Sequence, residues 1–108
     1  MTTNASRHED YRTIQLRICT INRGALHEFA TEWQAKIRPL RMKLGFQVLG
    51  AWTVEATNQF VWLLSHDGRE DSETRDQAYY RLDERRAIRP DPARHIARVE
   101  HHFVESVL

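Results

Sequence analysis

The sequence predicts an α+β fold, a ferredoxin-like βαββαβ chain whose four strands form one antiparallel sheet. Three observations predict it. From Tyr11 to Thr20 apolar and polar residues alternate, as they do on a half-buried strand. From Leu26 to Leu44 apolar residues recur at spacings of three and four, the mark of one helix face. Two strand-like runs then follow, and after them a charged, helix-forming segment and a last alternating run.

Taken in order, residues 1–10 (MTTNASRHED) are polar and lack a signal-peptide core. They read as a disordered lead to a single domain over residues 11–108. In the first strand Ile14, Leu16 and Ile18 share one face, and Gln15, Arg17 and Cys19 the other. The apolar trio is expected to pack on the helices, turning Arg17 and Cys19 to the far side of the sheet. The first helix carries Leu26, Phe29, Ala30, Trp33, Ile37, Leu40 and Leu44 as one stripe. Pro39 removes a backbone donor inside it and should bend the last turns, and Gly45 suits its C-terminus. A hairpin follows, with strands near residues 47–55 and 58–66 and a turn at residues 56–58. Gly50 marks a bulge or a close backbone approach. A second helix is expected over residues 69–86, on a thin stripe of Ala78, Tyr79, Leu82 and Ile88. Two prolines at 90 and 92 stop it, and the last strand runs from about residue 96 to 104.

Bulk composition narrows the function classes. A chain of 108 residues is one ordinary domain. Cys19 is the sole cysteine, which excludes an intramolecular disulfide and a cysteine-built zinc site. Sixteen basic against fifteen acidic residues give a net charge of +1, too little for an electrostatic nucleic-acid or anionic-membrane binder. No apolar run approaches the roughly 20 residues of a membrane span. A cytoplasmic protein is expected. Two helices on one face leave the other sheet face bare. Trp52, Val54, Trp62 and Leu64 supply more apolar surface than those helices need, so dimerisation or ligand binding is expected there.

The sequence resembles the NIPSNAP family of the dimeric α+β barrel superfamily. The resemblance runs from about Tyr11 to the C-terminus. It rests on IQLRICTI with Arg17, Gly24 before a helix with Phe29 and Trp33, and Pro39-Leu40-Arg41. Gly45-Phe46, Leu49-Gly50-Ala51-Trp52 and Asn58-Gln59-Phe60-Val61-Trp62-Leu63 complete it. It implies a homodimer packed sheet face to sheet face around a central cavity, with a small apolar or aromatic ligand. The superfamily's activities include monooxygenases, isomerases, cyclases and haem enzymes, so the fold alone does not settle the chemistry. Haem-degrading relatives carry an asparagine on the first strand and a tryptophan at the end of the third. Here Arg17 and His66 stand there, which argues against haem, and no cofactor is expected.

Within such a cavity Arg17 would clamp a carboxylate or enolate through paired hydrogen bonds. An ion pair with Glu100 is the structural alternative. His66, in phase with Trp62 and Leu64, and His102, in phase with Glu100, would move a proton. Trp52, Trp62, Leu64 and Tyr80 would shape the substrate pocket. A solvated strand end for His66, core packing for Tyr79 or Tyr80 and a small buried filler for Cys19 are the plainer roles. His95, His101 and His102 invite a metal reading, but adjacent strand residues point to opposite faces, so no metal site is expected. RNA-recognition modules share the element order, yet QFVWLLSH lacks their basic and glycine–aromatic pattern. Two functions remain: an isomerase, cyclase or cofactor-independent monooxygenase of secondary or aromatic metabolism, or a non-catalytic ligand-binding or assembly module.

Overall fold

The computed structural model describes residues 13–66 and 71–108. The expected disordered lead, the start of the first alternating run at Tyr11 and the Asp67-Gly68 step lie outside them. Strands β1 (Ile14–Ile21), β2 (Gln47–Val54), β3 (Gln59–Ser65) and β4 (Ile96–Val104) form one sheet in the order β2-β3-β1-β4. Every neighbouring pair is antiparallel. Inserting β3 between β1 and β2 is the split βαβ arrangement expected of the ferredoxin-like fold.

The first helical stretch is α1 (Leu26–Glu32), a π-helical turn (Trp33–Ile37) and α2 (Arg38–Lys43). The expected disturbance by Pro39 is this turn, in which the Arg38 amide bonds back to the Trp33 carbonyl. A proline cannot donate within a helix, and widening the preceding turn absorbs the missing bond. The stripe survives the insertion, so Phe29, Trp33, Ile37 and Leu40 are all buried. Gly45 takes a positive φ of 92°, its amide bonds to the Met42 carbonyl, and the Phe46 amide bonds to that of Arg41. These paired bonds end the helix as a Schellman motif and fix Arg41 and Phe46 side by side.

Positions 69 and 70 of the expected second helix lie outside the described residues, and within them the helix is broken at Leu82. Helix α3 (Ser72–Arg81) starts on Asp71, whose side chain accepts the Thr74 amide at 2.7 Å. It stops at Leu82, whose extended backbone separates it from the single turn α4 (Asp83–Arg86). Of the expected stripe, Tyr79 is buried and Leu82 and Ile88 are half-buried, whereas Ala78 is exposed.

Gly50 meets both expectations for it. The β2–β3 register shifts between Val48 and Gly50. A Cβ at Gly50 would also fall 2.4 Å from the Trp52 indole, which lies across the bare backbone.

The faces of β1 are the reverse of what alternation suggests. Gln15, Arg17, Cys19 and Ile21 are buried beneath the helices, while Ile14, Leu16 and Ile18 are half-buried on the open face. The register carries this across the sheet. Arg17 pairs with Trp62 and His101, whereas Leu16 pairs with Leu63 and His102. The core lies on the helix side and centres on aromatic rings. Trp33 packs against Phe60 and edge-on to Trp62, with centroids 4.9 and 5.2 Å apart.

Candidate functional site

A cavity of about 200 Å³ lies between the sheet and the helices. Arg17 and Cys19 of β1, Trp62 of β3 and His101 of β4 form its floor, and Trp33, Arg41, Asp76 and Tyr80 stand among its walls. Asp76, Tyr79 and Tyr80 come to one face of α3 because residues three and four apart are neighbours on a helix. One oxygen of Asp76 accepts hydrogen bonds from Arg17 Nη2 at 2.9 Å and Arg41 Nη1 at 2.8 Å. That carboxylate joins the sheet, the first helix and α3 through two guanidiniums.

Both arginines are deeply enclosed, at 4% and 1% exposure. Arg17 Nε also donates to Gln15 Oε1 at 2.6 Å. The Arg41 guanidinium carbon stands 3.7 Å from the Tyr79 ring centre and 4.9 Å from that of Phe46. Stacking on ring faces supplies part of what water would give a weakly hydrated guanidinium. Burial, followed by the like charge of Arg17, pulls the Arg41 pKa down. Burial pushes Asp76 up, but the attraction of Arg17 and Arg41 outweighs it and holds the carboxyl below its ordinary value. A third guanidinium, Arg85, is also buried and pairs with Asp91 Oδ1 at 3.0 Å.

The sequence-predicted residues divide between three places. Arg17 and Trp62 reach the cavity, as does Tyr80, whose hydroxyl lies 3.5 Å from Arg41 Nη2. Arg17 bonds with Asp76, and its alternative partner Glu100 sits on the opposite face, across from Ile18. His66 and Leu64 share the helix side with Trp62, but they line a second hollow of about 10 Å³, which Arg17 also borders and where His66 Nε2 is 3.2 Å from Ser72 Oγ. Trp52 and His102 lie on the open face, with His102 beside Glu100 at 3.7 Å. The expected location, a cavity on the open side holding Arg17, His66, His102 and both tryptophans together, is therefore not what the chain builds. Arg17 and His102 are on opposite faces of the sheet.

Three residues of the site escaped sequence reasoning. Arg41 follows Leu40 on the apolar stripe, and a charged residue in that phase was the signal available. Asp76 precedes Tyr79 and Tyr80 by three and four positions, which predicts a shared face. His101 was legible only through its register with Arg17. Partial burial, then the charge of Arg17, pushes the His101 imidazole below its ordinary value, although the side chain keeps an exposed edge. His101 therefore binds protons less readily in the fold than in the unfolded chain, and stability is lost as pH falls through about 6.5. His101→Phe should narrow the loss of urea midpoint between pH 7.5 and 5.5 relative to the parent. An equal loss in both proteins would contradict this.

Cys19 is buried and free, and burial raises its pKa despite opposing contributions from Trp62 and Arg17. A thiol so placed is a filler rather than a nucleophile. Among the described residues, one trio, Glu28, Glu32 and His95, brings metal-type donors within 4.8 Å of one another. Arg94 already spans both oxygens of Glu32 at 3.0 and 2.8 Å, so a resident guanidinium holds that position.

The architecture has clear counterparts among solved structures. An uncharacterized NIPSNAP domain protein from Burkholderia xenovorans matches with a TM-score of 0.74 at 17% identity, over 87% of this chain and 93% of that one. A NIPSNAP family protein from Agrobacterium tumefaciens matches at 0.77 and 13% identity, over 88% and 92%. The fold is that of the NIPSNAP proteins. A candidate antibiotic biosynthesis monooxygenase from Nitrosomonas europaea shares the NIPSNAP-like arrangement at 0.66 and 9% identity, over 90% and 91%. No protein-family model matches the sequence, and no curated protein matches it. Among the described residues no helix is long and apolar enough to cross a membrane.

Proposed function

We propose that the cavity between the sheet and the helices is a small-molecule site. In this reading the chain is a proton-moving enzyme, an isomerase, cyclase or cofactor-independent monooxygenase in secondary or aromatic metabolism, working in the cytoplasm. The observation that carries the reading is the shared wall. Arg17, Asp76, Tyr80 and His101 line one cavity whose remaining surface is largely apolar. Arg17 would steady a developing oxyanion, and Tyr80 would lend a hydroxyl. His101, whose pKa is pushed down by partial burial and by Arg17, would act as the base in the role first given to His66 and His102. The likeness of fold to a candidate antibiotic biosynthesis monooxygenase supports the reaction class.

The experiment is isotope wash-in. The protein is incubated in heavy water with a panel of aromatic ketones and β-dicarbonyl compounds, and deuterium at carbon is followed by mass spectrometry. Wash-in that His101→Phe loses, while it still binds the compound, is the expected result. Binding without wash-in across the panel would favour a non-catalytic ligand-binding module. One observation favours that second reading: Asp76 already ties both guanidiniums to three elements, as a purely structural clamp would.

The open face completes the proposal as a homodimer surface. Leu16, Ile18, Val61 and Leu63 are only half-buried there, and Trp52 is 53% exposed. A contiguous apolar face of this kind is a recognised mark of association. Sedimentation should show a dimer at micromolar concentration, and Leu16→Glu should yield a folded monomer. A parent protein that sediments as a soluble monomer would overturn the pairing.

A further inference from the structure

Resting on the small-molecule reading of this cavity, we infer that its ligand is a planar aromatic monoanion of one or two rings, carried on a carboxylate. The first ground is charge. Arg17, Arg41 and Arg85 all contribute to the cavity wall, and Asp76 is the one carboxylate that lines it among the described residues. Asp91 offsets Arg85 from outside the cavity, but its side chain is 45% exposed and water screens the pair. Among the described residues, three guanidiniums against two carboxylates leave one positive charge without a counterpart. An uncompensated buried charge is costly, and a bound monoanion would relieve it.

Hydrogen bonding is the second ground. Arg41 Nε and Arg85 Nε are buried with no hydrogen-bond partner among the described residues, and the Tyr79 hydroxyl is buried beside Arg85. Arg41, Tyr79 and Arg85 are each more than nine-tenths buried and belong to the cavity wall. Buried polar groups are ordinarily satisfied, so unpaired guanidinium nitrogens on two residues of one cavity wall favour an acceptor entering beside them. A carboxylate accepts from a guanidinium in the paired geometry that its planar fork favours.

Shape supplies the third. Rings of Trp33, Trp62 and Tyr80 border the void, which suits a flat ligand better than a branched one. Its volume of about 200 Å³ exceeds the roughly 150 Å³ that admits benzene in an engineered core. One ring fits with room for its carboxylate, and two fused rings fill the space.

The test is calorimetric titration of the full chain with two matched pairs, benzoate against benzamide and 1-naphthoate against 1-naphthamide. Each pair keeps shape and changes charge. The acid of at least one pair should bind about tenfold or more tightly than its amide, the size of preference a charge-assisted pair provides. Arg85→Met, folded by circular dichroism, should shrink that ratio to within about threefold. Equal binding of acid and amide would overturn the anion inference and leave the small-molecule site standing. Binding of none of the four would overturn both.

Discussion

Asp76→Ala is expected to destabilise the protein by about 3 kcal/mol, the low end of what breaking a buried ion pair costs. The low end applies because the Asp76 side chain keeps 22% of its surface exposed, so water reaches the carboxylate. The loss is still large, since the substitution strands two guanidiniums at once. Arg17 and Arg41 have side-chain exposures of 5% and 1%, and no second carboxylate lines their cavity among the described residues. Urea unfolding at pH 7 is the measurement. Asp76→Ala combined with Arg41→Met should recover part of the loss, because removing the second charge removes half of what was stranded. A single-variant loss under about 1 kcal/mol would show that the clamp is ornamental. The same carboxylate makes the fold acid-sensitive. Its depressed pKa means that stability present above the ordinary aspartate value is lost as pH falls below about 4.

The two hairpin tryptophans should behave in opposite ways. Trp62→Ala is expected to cost about 4 kcal/mol, in the range for emptying an aromatic site in a packed core. Trp62 is 4% exposed, meets Trp33 edge-on, and has the Arg17 and Arg41 guanidiniums 5.5 and 5.8 Å from its ring centre. Trp52 is half in solvent on the other face, so Trp52→Ala should change monomer stability by less than about 1 kcal/mol. Its effect should appear instead as weaker self-association in sedimentation. Similar stability losses for both would contradict the assignment of the two faces.

Periodicity made the architecture legible, because strand and helix repeats depend on neighbours in sequence. The hairpin, the bulge at Gly50, the C-terminal glycine of the first helix and the shared face of Trp62, Leu64 and His66 all follow from local pattern. The orientation of β1 did not. Apolar Ile14, Leu16 and Ile18 look like the buried face, yet polar Gln15 and Arg17 lie under the helices. What makes that burial tolerable is Asp76, fifty-nine residues away, and no local pattern shows it. Arg41 is hidden for the same reason: its partners are Asp76 and the rings of Phe46 and Tyr79. Once β1 is turned over, Arg17 leaves the open face, His102 stays on it, and His101 takes its place beside Arg17. The break at Leu82 was unreadable too, because that segment is too charged to show a period.

The central claim is that ligands enter on the helix side of the sheet, and the three indoles report on it separately. Trp33 and Trp62 border the cavity, whereas Trp52 lies on the open face. Proton–nitrogen correlation spectra recorded during titration with 1-naphthoate resolve one indole signal for each. The account predicts that the Trp33 and Trp62 signals shift together with a single binding curve while Trp52 stays in place. A shift confined to Trp52 would contradict it and return the site to the open face.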